Sequence, residues 1–161
     1  MSAADLTPTL EDAIVLAAQA HRGQLSPSPE GEPCILHPLR VMSQVTSSAE
    51  RVVAVLHDVI EDTNYTVDNL RHLGYSERVI DALDRLTHRD GEAYETYIER
   101  IKDDPVAQQV KLADIVDNLA NNRRLAELTS SIEVQERIMR YERAIVQLKA
   151  AAAAANAEPP M

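Results

Sequence analysis

The segment VLHDVIEDTN, residues 55–64, places a histidine and three carboxylates directly after an apolar run. On a continuous helix, positions four apart share a face, so we expect His57 to lie beside Glu61 and Asp58 beside Asp62. The preceding VVAVL has no polar face, which predicts that this helix is buried nearly all round. Burying charged groups without compensation is costly. The pattern therefore predicts a bound cation or strong hydrogen-bond partners.

Two further segments carry groups that could complete the same site. His37 precedes Pro38 at the exit of a proline-rich loop, although by itself a turn histidine that caps the next helix is the simpler interpretation. The segment KLADIVDN places Asp114 and Asn118 four apart on one predicted helix. Two imidazoles and two carboxylates would bind a divalent transition ion and leave positions open for water, as a catalytic site requires. Mn²⁺, Fe²⁺ and Zn²⁺ are all compatible with these ligands.

The composition favours one helical domain. A chain of 161 residues is long enough to bury a substantial core within a single domain. Its apolar residues are mainly Ala, Val, Ile and Leu, with no Phe or Trp and only four Gly, which favours helices over sheets. We assign residues 1–149 to a single domain and residues 150–161 to a low-complexity C-terminal tail.

Charge and targeting signals exclude several classes of partner. With a net charge of −10 and a pI near 4.9, the chain has no basic surface for nucleic acid or for an anionic membrane. It has no apolar span of membrane length, and its first residues do not resemble a signal peptide. A single cysteine, Cys34, excludes an internal disulfide and suits a reducing compartment. We therefore expect a cytoplasmic protein.

Apolar spacing and capping residues predict the order of the helices. The first begins near Leu10, with Pro8 in its first turn. Residues 24–38 contain four prolines and a glycine, which predicts an irregular loop of the kind that usually serves a site. A short helix should follow Pro38. Further helices are predicted at 51–62 behind a capping box at Ser47, and then at 66–73, 76–86, 93–102, 105–122 and from Ser130 into the alanine run 150–155.

The candidate ligands occur in an order that resembles a known signature. His37, then His57-Asp58, then Asp114 resemble the H…HD…D pattern of the HD-domain phosphohydrolases. The closer resemblance is to the hydrolase domain of RelA/SpoT proteins and to the stand-alone small alarmone hydrolases. It spans about residues 11–125 and is carried by AAQAHRGQ at 17–24, GEPCILHP at 31–38, VLHDVIEDT at 55–63 and KLADIVDNL at 111–119.

This resemblance implies a fold, a metal and a reaction. It implies an all-α, HD-domain helical bundle with Mn²⁺ held by His37, His57, Asp58 and Asp114. It also implies that Glu61 and Asp62 activate the attacking water or handle the proton, and that Asn118 lines the nucleotide site. The substrate would be (p)ppGpp or a related (p)ppApp-type nucleotide, cut at its 3′-pyrophosphate ester.

The chain departs from the family pattern at positions near the nucleoside. Members usually carry basic residues where this chain has Leu25 and Ser26, and an aromatic residue in the element that here contains Cys34. The arginine of the family's KLADR element is replaced by Ile115. Because an aliphatic or hydroxyl side chain cannot stack on a base or bind phosphate bidentately as arginine does, we expect altered base recognition.

Three other residues are candidates for roles around the substrate. Arg22 could replace the missing cations, and Tyr97 could contact the sugar or base. His21 lies in a family element and could buttress the loop. Two alternatives stay open, namely a nucleotide phosphatase of other specificity, for example one that removes the 2′-phosphate of NADPH, and a non-catalytic alarmone sensor. The expected partner is a small nucleotide, and the sequence leaves the oligomeric state open.

Overall fold

A computed structural model describes residues 7–157, which form nine α-helices and no β-strand. Outside the helices, the described residues contain one isolated bridge between Leu25 and Pro33. The helices in chain order are α1 Leu10–Ala20, α2 Leu36–Ser43, α3 Ser48–Leu56, α4 Val59–Asp62, α5 Val67–His72, α6 Glu77–Leu86, α7 Tyr94–Lys102, α8 Pro105–Leu128 and α9 Ile132–Ala157. The all-α prediction is confirmed.

Most helices begin at a capping residue that the sequence identifies. The side chains of Ser47 and Thr66 accept hydrogen bonds from backbone N–H groups three residues on, within capping boxes. Asp104 caps α8 by accepting from two backbone N–H groups, with Pro105 in the first turn. The expectation for α1 needs a correction, because Thr9 is the N-cap and Pro8 therefore precedes the helix.

The proline-rich loop is shorter than expected. Helix α2 begins at Leu36, so Pro38 lies in its first turn and not before it. A proline is tolerated there because the first N–H groups of a helix have no partner within the helix. The loop is closed by hydrogen bonds from the Ser26 N–H to the Glu32 carbonyl and from the Cys34 N–H to the Gln24 carbonyl.

The helix expected at 51–62 is interrupted in the middle of its polar motif. Helix α3 ends at Leu56 and α4 begins at Val59, which leaves His57 and Asp58 between them. The His57 Nδ1 atom hydrogen-bonds the Ala54 carbonyl at 2.6 Å. In a continuous helix that carbonyl would accept from the N–H of Asp58, so the histidine side chain competes with the helix for it.

Helix α3 is the centre of the core. Its residues Val53 to Leu56 are fully buried, as the apolar run predicted, and it packs against α1, α2, α6 and α8. Helix α8 extends six residues beyond the expected end at Asn122 and packs against α9. Helix α9 continues to Ala157, so the tail assignment for 150–161 stays a prediction, and residues 158–161 lie outside the described part.

Within residues 7–157, no helix combines the length and apolar character needed to cross a membrane.

Candidate functional site

Three parts of the fold bring four candidate ligands together. His37 comes from α2, His57 and Asp58 from the break between α3 and α4, and Asp114 from α8. Oδ1 of Asp114 lies 2.9 Å from Nε2 of His37 and 3.4 Å from Nε2 of His57. The carboxylate of Asp58 lies 3.3 Å from Nε2 of His57 and 3.6 Å from Nε2 of His37. Groups that are 77 residues apart in the chain thus meet at one point.

Both imidazoles are held so that their Nε2 atoms face the carboxylates. The Nδ1 atom of His57 donates to the Ala54 carbonyl, and its Nε2 is buried with no hydrogen-bond partner in the described part of the chain. The Nδ1 atom of His37 bonds Oδ2 of Asp117 at 2.6 Å. Fixing a histidine through its second nitrogen is the usual way in which proteins orient metal ligands.

The Asp117 carboxylate connects His37 to an arginine. Its oxygens accept from Nε and Nη2 of Arg40 at 2.7 and 3.0 Å, in addition to the bond with His37. Burial alone would raise the pKa of Asp117, but the hydrogen bonds from His37 and Arg40 hold that pKa at about 2. Asp117 is therefore ionised, and its negative carboxylate fixes the orientation of the His37 ring.

Lys111 forms an ion pair with the buried carboxylate of Asp114. Its ammonium group lies 2.8 Å from Oδ2 of Asp114, one turn earlier on α8, and 5.0 Å from the centre of the Tyr97 ring. Burial alone would raise the pKa of Asp114, but the charge of Lys111, the hydrogen bond with His37 and the nearby His57 imidazole outweigh it and keep that pKa well below its usual range. Asp114 is thus charged although it is buried.

The donor set fits a divalent cation. Burial would lower the pKa of His37, yet the carboxylates of Asp114, Asp117 and Asp58 outweigh burial and raise it to about 10, so the surroundings are strongly negative. The donor atoms of His37, His57 and Asp58 lie within 4.8 Å of one another, with Asp114 in contact with both imidazoles. Two imidazoles and two carboxylates suit a divalent transition metal.

A cavity of about 420 Å³ opens beside these ligands. Its volume lies within the range of small-molecule sites. Both Glu61 and Asp62 line it. Burial is the main cause that raises the pKa of each of these two carboxyls, and the nearby charge of Asp58 adds to it. Groups of this kind can exchange protons closer to neutral pH than ordinary carboxylates.

The Glu61 carboxylate is held from another part of the fold. It accepts a hydrogen bond from the backbone N–H of His88, two residues after the end of α6. One turn is preserved between Asp58 and Asp62, since the Asp62 N–H donates to the Asp58 carbonyl at 3.0 Å. Both carboxylates lie at the cavity, and the expected proximity of His57 to Glu61 stays a prediction.

The structure brings one of the three expected substrate residues to the cavity. Asn118 lines it, and its Nδ2 donates to Oδ1 of Asp114 at 2.8 Å. Arg22 is exposed and is not part of the lining. Tyr97 is buried, donates its hydroxyl to the Leu86 carbonyl at 2.6 Å, and is also absent from the lining. Tyr97 therefore packs behind Lys111 in this structure.

The departures from the family pattern fall in different environments. Ile115 is fully buried in the core and Leu25 is 66% exposed, and neither lines the cavity. Neither side chain supplies a contact at the cavity, so the altered base recognition expected from these two positions stays a prediction. Ser26 and Cys34 do line the cavity, so the departures there remain relevant.

Sequence reasoning missed several residues of the cavity wall. Asp117 lies three positions after Asp114 on α8, a spacing that indicates a shared face, and Lys111 stood inside the quoted KLAD element. The other missed residues are Arg40, Asn121, Asn122, Leu125, Arg137 and Tyr141. Those from α9 carry no local signal, because only the pairing of α8 with α9 brings them to the site.

Comparison with known proteins identifies relatives along most of the chain. No protein-family model matches it. The human guanosine-3′,5′-bis(diphosphate) 3′-pyrophosphohydrolase MESH1 is 36% identical over 138 residues, which cover 79% of this chain and 77% of the human protein. The Xenopus tropicalis MESH1 is 32% identical over 139 residues, covering 81% and 76%. A Vibrio cholerae guanosine-3′,5′-bis(diphosphate) 3′-pyrophosphohydrolase is 34% identical over 124 residues, covering 68% of this chain but 17% of that longer protein.

A solved structure shares the fold. It is described as a metazoan ortholog of SpoT that hydrolyses ppGpp, and it matches with a TM-score of 0.71 at 22% identity, over 86% of this chain and 84% of the other. The structural match supports the all-α architecture, and the sequence matches extend over the segments that carry the four candidate ligands. From its identity to the human and Xenopus proteins over most of their length, the chain belongs to the family of the MESH1 proteins, the small alarmone hydrolases.

Proposed function

We propose that the protein is a metal-dependent nucleotide pyrophosphohydrolase that removes the 3′-pyrophosphate from guanosine-3′,5′-bis(diphosphate) or a related (p)ppApp-type nucleotide. The observation that carries the proposal is the convergence of His37, His57, Asp58 and Asp114 beside a cavity of nucleotide scale. The relatives that match most of the chain carry this activity in their names. A nucleotide in the cytoplasm is the expected partner, in keeping with a chain that has one cysteine and an acidic balance.

The proposed metal is Mn²⁺, bound by the four converged residues. Other divalent transition ions are compatible with two imidazoles and two carboxylates. When bound, such an ion polarises a phosphoryl oxygen and lowers the pKa of water. The chain contributes the orientation of the ligands, since the Ala54 carbonyl and Asp117 each hold one imidazole through its Nδ1.

Glu61 and Asp62 are the proposed acid and base groups. Both line the cavity within four residues of Asp58, and burial raises the pKa of both carboxyls. A carboxyl whose pKa is raised can hold a proton for a leaving group or accept one from water under mild conditions. Positioned proton transfer of this kind contributes typically about 10²–10⁴-fold to a rate.

The cationic side chains of the wall would receive the phosphates. Arg40, Lys111 and Arg137 all line the cavity, although the chain as a whole carries a net charge of −10. Arginine binds phosphate bidentately, and lysine acts as a point charge. Asn118 is the proposed polar contact to the nucleotide from α8. Five carboxylates line the same cavity, so attraction of a polyanionic substrate would also need the bound cation to offset their charge.

Incubation with a panel of nucleotides tests the proposal. The purified protein with Mn²⁺ would be given guanosine and adenosine 3′-diphosphate nucleotides, NADPH and simple nucleotides, and the products separated by chromatography. We expect pyrophosphate from a 3′-diphosphate substrate. Release of orthophosphate from NADPH would assign the site to a phosphomonoesterase, and tight binding without turnover would assign it to a sensor. Either result would overturn the proposal.

A further inference from the structure

A buried histidine outside the ligand set connects α1 to the catalytic region. His21 ends α1, is 3% exposed and lines the same cavity as Asp62. Its Nδ1 lies 2.8 Å from Oε1 of Gln24, and Nε2 of Gln24 donates to the backbone carbonyl of Asp62 at 2.9 Å. These two hydrogen bonds connect His21 to Gln24 and Gln24 to Asp62, which lies 38 residues after Gln24 in the chain.

The direction of these hydrogen bonds fixes the tautomer of His21. The Asp62 carbonyl can only accept, so the Gln24 amide must present its NH₂ group to it. The Gln24 carbonyl oxygen then faces His21, and only a protonated Nδ1 can donate to it. In the neutral ring, this leaves the lone pair on Nε2. The Asp62 carbonyl therefore determines, through Gln24, which ring nitrogen of His21 carries the proton.

The free end of this chain of bonds has no partner. Nε2 of His21 is buried and makes no hydrogen bond within the described residues, and His57, a proposed metal ligand, is the other histidine with this property. Buried polar atoms are normally hydrogen-bonded, and an unpaired one calls for a bound group. A lone pair in this position accepts from an O–H donor, such as water, and not from a phosphate oxygen.

We propose that His21 is a positioning residue for Asp62: it holds the Asp62 main chain through Gln24, and its Nε2 lone pair accepts a hydrogen bond from the cavity water on which the Asp62 carboxyl acts. This role rests on the proposed function, because it gives Asp62 its place relative to the substrate. It predicts that His21 affects the rate of the chemical step and not the affinity for nucleotide or metal.

The tautomer can be measured without any activity. Long-range ¹H–¹⁵N NMR spectra at pH 8, with diamagnetic Zn²⁺ in place of paramagnetic Mn²⁺, report which ring nitrogen of His21 carries the proton. We expect a proton on Nδ1 and none on Nε2, and we expect Gln24→Met to abolish this preference. A proton on Nε2 in the wild-type protein would overturn the proposal, whatever the protein hydrolyses.

A double-mutant cycle tests whether His21 acts through Asp62. In His21→Asn, the side-chain NH₂ can replace the Nδ1 donor to Gln24, whereas the Nε2 acceptor is lost. We expect kcat to fall about 10–100-fold, as for other residues that support an active-site group, with KM, Mn²⁺ stoichiometry and Tm unchanged. In the Asp62→Asn background the same substitution should cost less than threefold, because its target is already gone. The matched control is His72→Asn, at an exposed histidine that does not line the cavity.

The kinetics of the His21→Asn variants test the positioning role directly. A kcat for His21→Asn within twofold of wild type, or an equal loss in the two backgrounds, would overturn the positioning role. If His21→Asn does not fold, Gln24→Met is judged by the same criteria, since it breaks the link to the Asp62 carbonyl from the other side. A wild-type protein that hydrolyses no nucleotide would remove the proposed function, while the NMR result would still stand on its own.

Discussion

At the scale of single residues, the site combines buried charges with partners that fix them. Asp114 keeps its charge inside the protein because Lys111 lies at 2.8 Å, and His37 is oriented because Asp117 holds its other nitrogen. A buried ion pair that loses one member leaves an uncompensated charge, which is strongly destabilising. Substitutions at the ligands and at their partners should therefore have different effects.

Substitution of a proposed ligand should remove metal and activity together. His57→Ala removes the imidazole that contacts Asp114, and Asp58→Ala removes the carboxylate that contacts His57. Because each variant lacks one proposed metal ligand, we expect no bound Mn²⁺ after dialysis and no turnover. Metal content by atomic absorption and product chromatography measure the two effects, with His72→Ala as the control. An inactive variant that retains one Mn²⁺ per chain would remove that residue from the ligand set.

Substitution of the proposed acid and base groups should separate the same two properties. Glu61→Gln and Asp62→Asn preserve shape but cannot exchange a proton, so the metal should stay at full stoichiometry while kcat falls about 10²–10⁴-fold. Steady-state kinetics and metal analysis of the same samples provide the test. If both variants turn over at the wild-type rate, neither carboxyl takes part in proton transfer.

Removal of the Asp117 carboxylate should weaken metal binding without removing a ligand. Asp117→Asn keeps the size of the side chain but weakens its bonds with His37 and Arg40, so the imidazole is less firmly oriented. Loss of such a partner typically costs about 10–100-fold in metal affinity. Titration calorimetry with Mn²⁺ measures this, with Glu142→Gln as a control at an exposed ion pair. An unchanged Kd would show that Asp117 does not support the site.

At the scale of helices, local signals predicted the starts better than the interior. Ser47 caps α3 as expected, and the helices expected from residues 66 and 105 begin behind the caps Thr66 and Asp104, because each cap depends on a few neighbouring residues. The break at 57–58 was not predictable from periodicity, since it depends on the direction taken by the His57 ring. The candidate ligand on α8, Asp114, was predicted from its motif, whereas placing Arg137 at the cavity required knowledge of how α9 packs on α8.

The cap of α8 should be important for stability because that helix carries Asp114. The carboxylate of Asp104 accepts from the N–H groups of Val106 and Ala107 at 2.9 and 3.0 Å and is buried. Asp104→Ala should lower the free energy of unfolding by about 0.5–2 kcal/mol, the usual cost of losing such a cap. Urea denaturation measures it, and Asp103→Ala, at the exposed neighbouring position, is the control. Equal stabilities of the two variants would contradict the capping role.

At the scale of the whole molecule, the site joins helices that are distant in the chain. The proposed ligands come from α2, from the α3–α4 break and from α8, while Arg137 and Tyr141 of α9 line the cavity. The net charge of −10 would by itself repel a polyphosphate, and five carboxylates line the cavity beside Arg40, Lys111 and Arg137, so a polyanionic substrate would need more positive charge than these three side chains supply. A divalent ion at the ligands would add to that charge and would also link these helices.

Metal removal should therefore lower the stability of the entire domain. An ion that binds only the folded state stabilises it by about 2.7 kcal/mol when its free concentration is 100 times its Kd. For a domain of this size, each kcal/mol shifts Tm by about 2–4 °C, so Mn²⁺ should raise Tm by roughly 5–11 °C above the value in EDTA. Calorimetric scans of the wild-type protein in both conditions measure the shift. The His57→Ala variant should show no shift, because the ligand set is incomplete, and equal shifts in the two proteins would mean that Mn²⁺ stabilises the chain from another site.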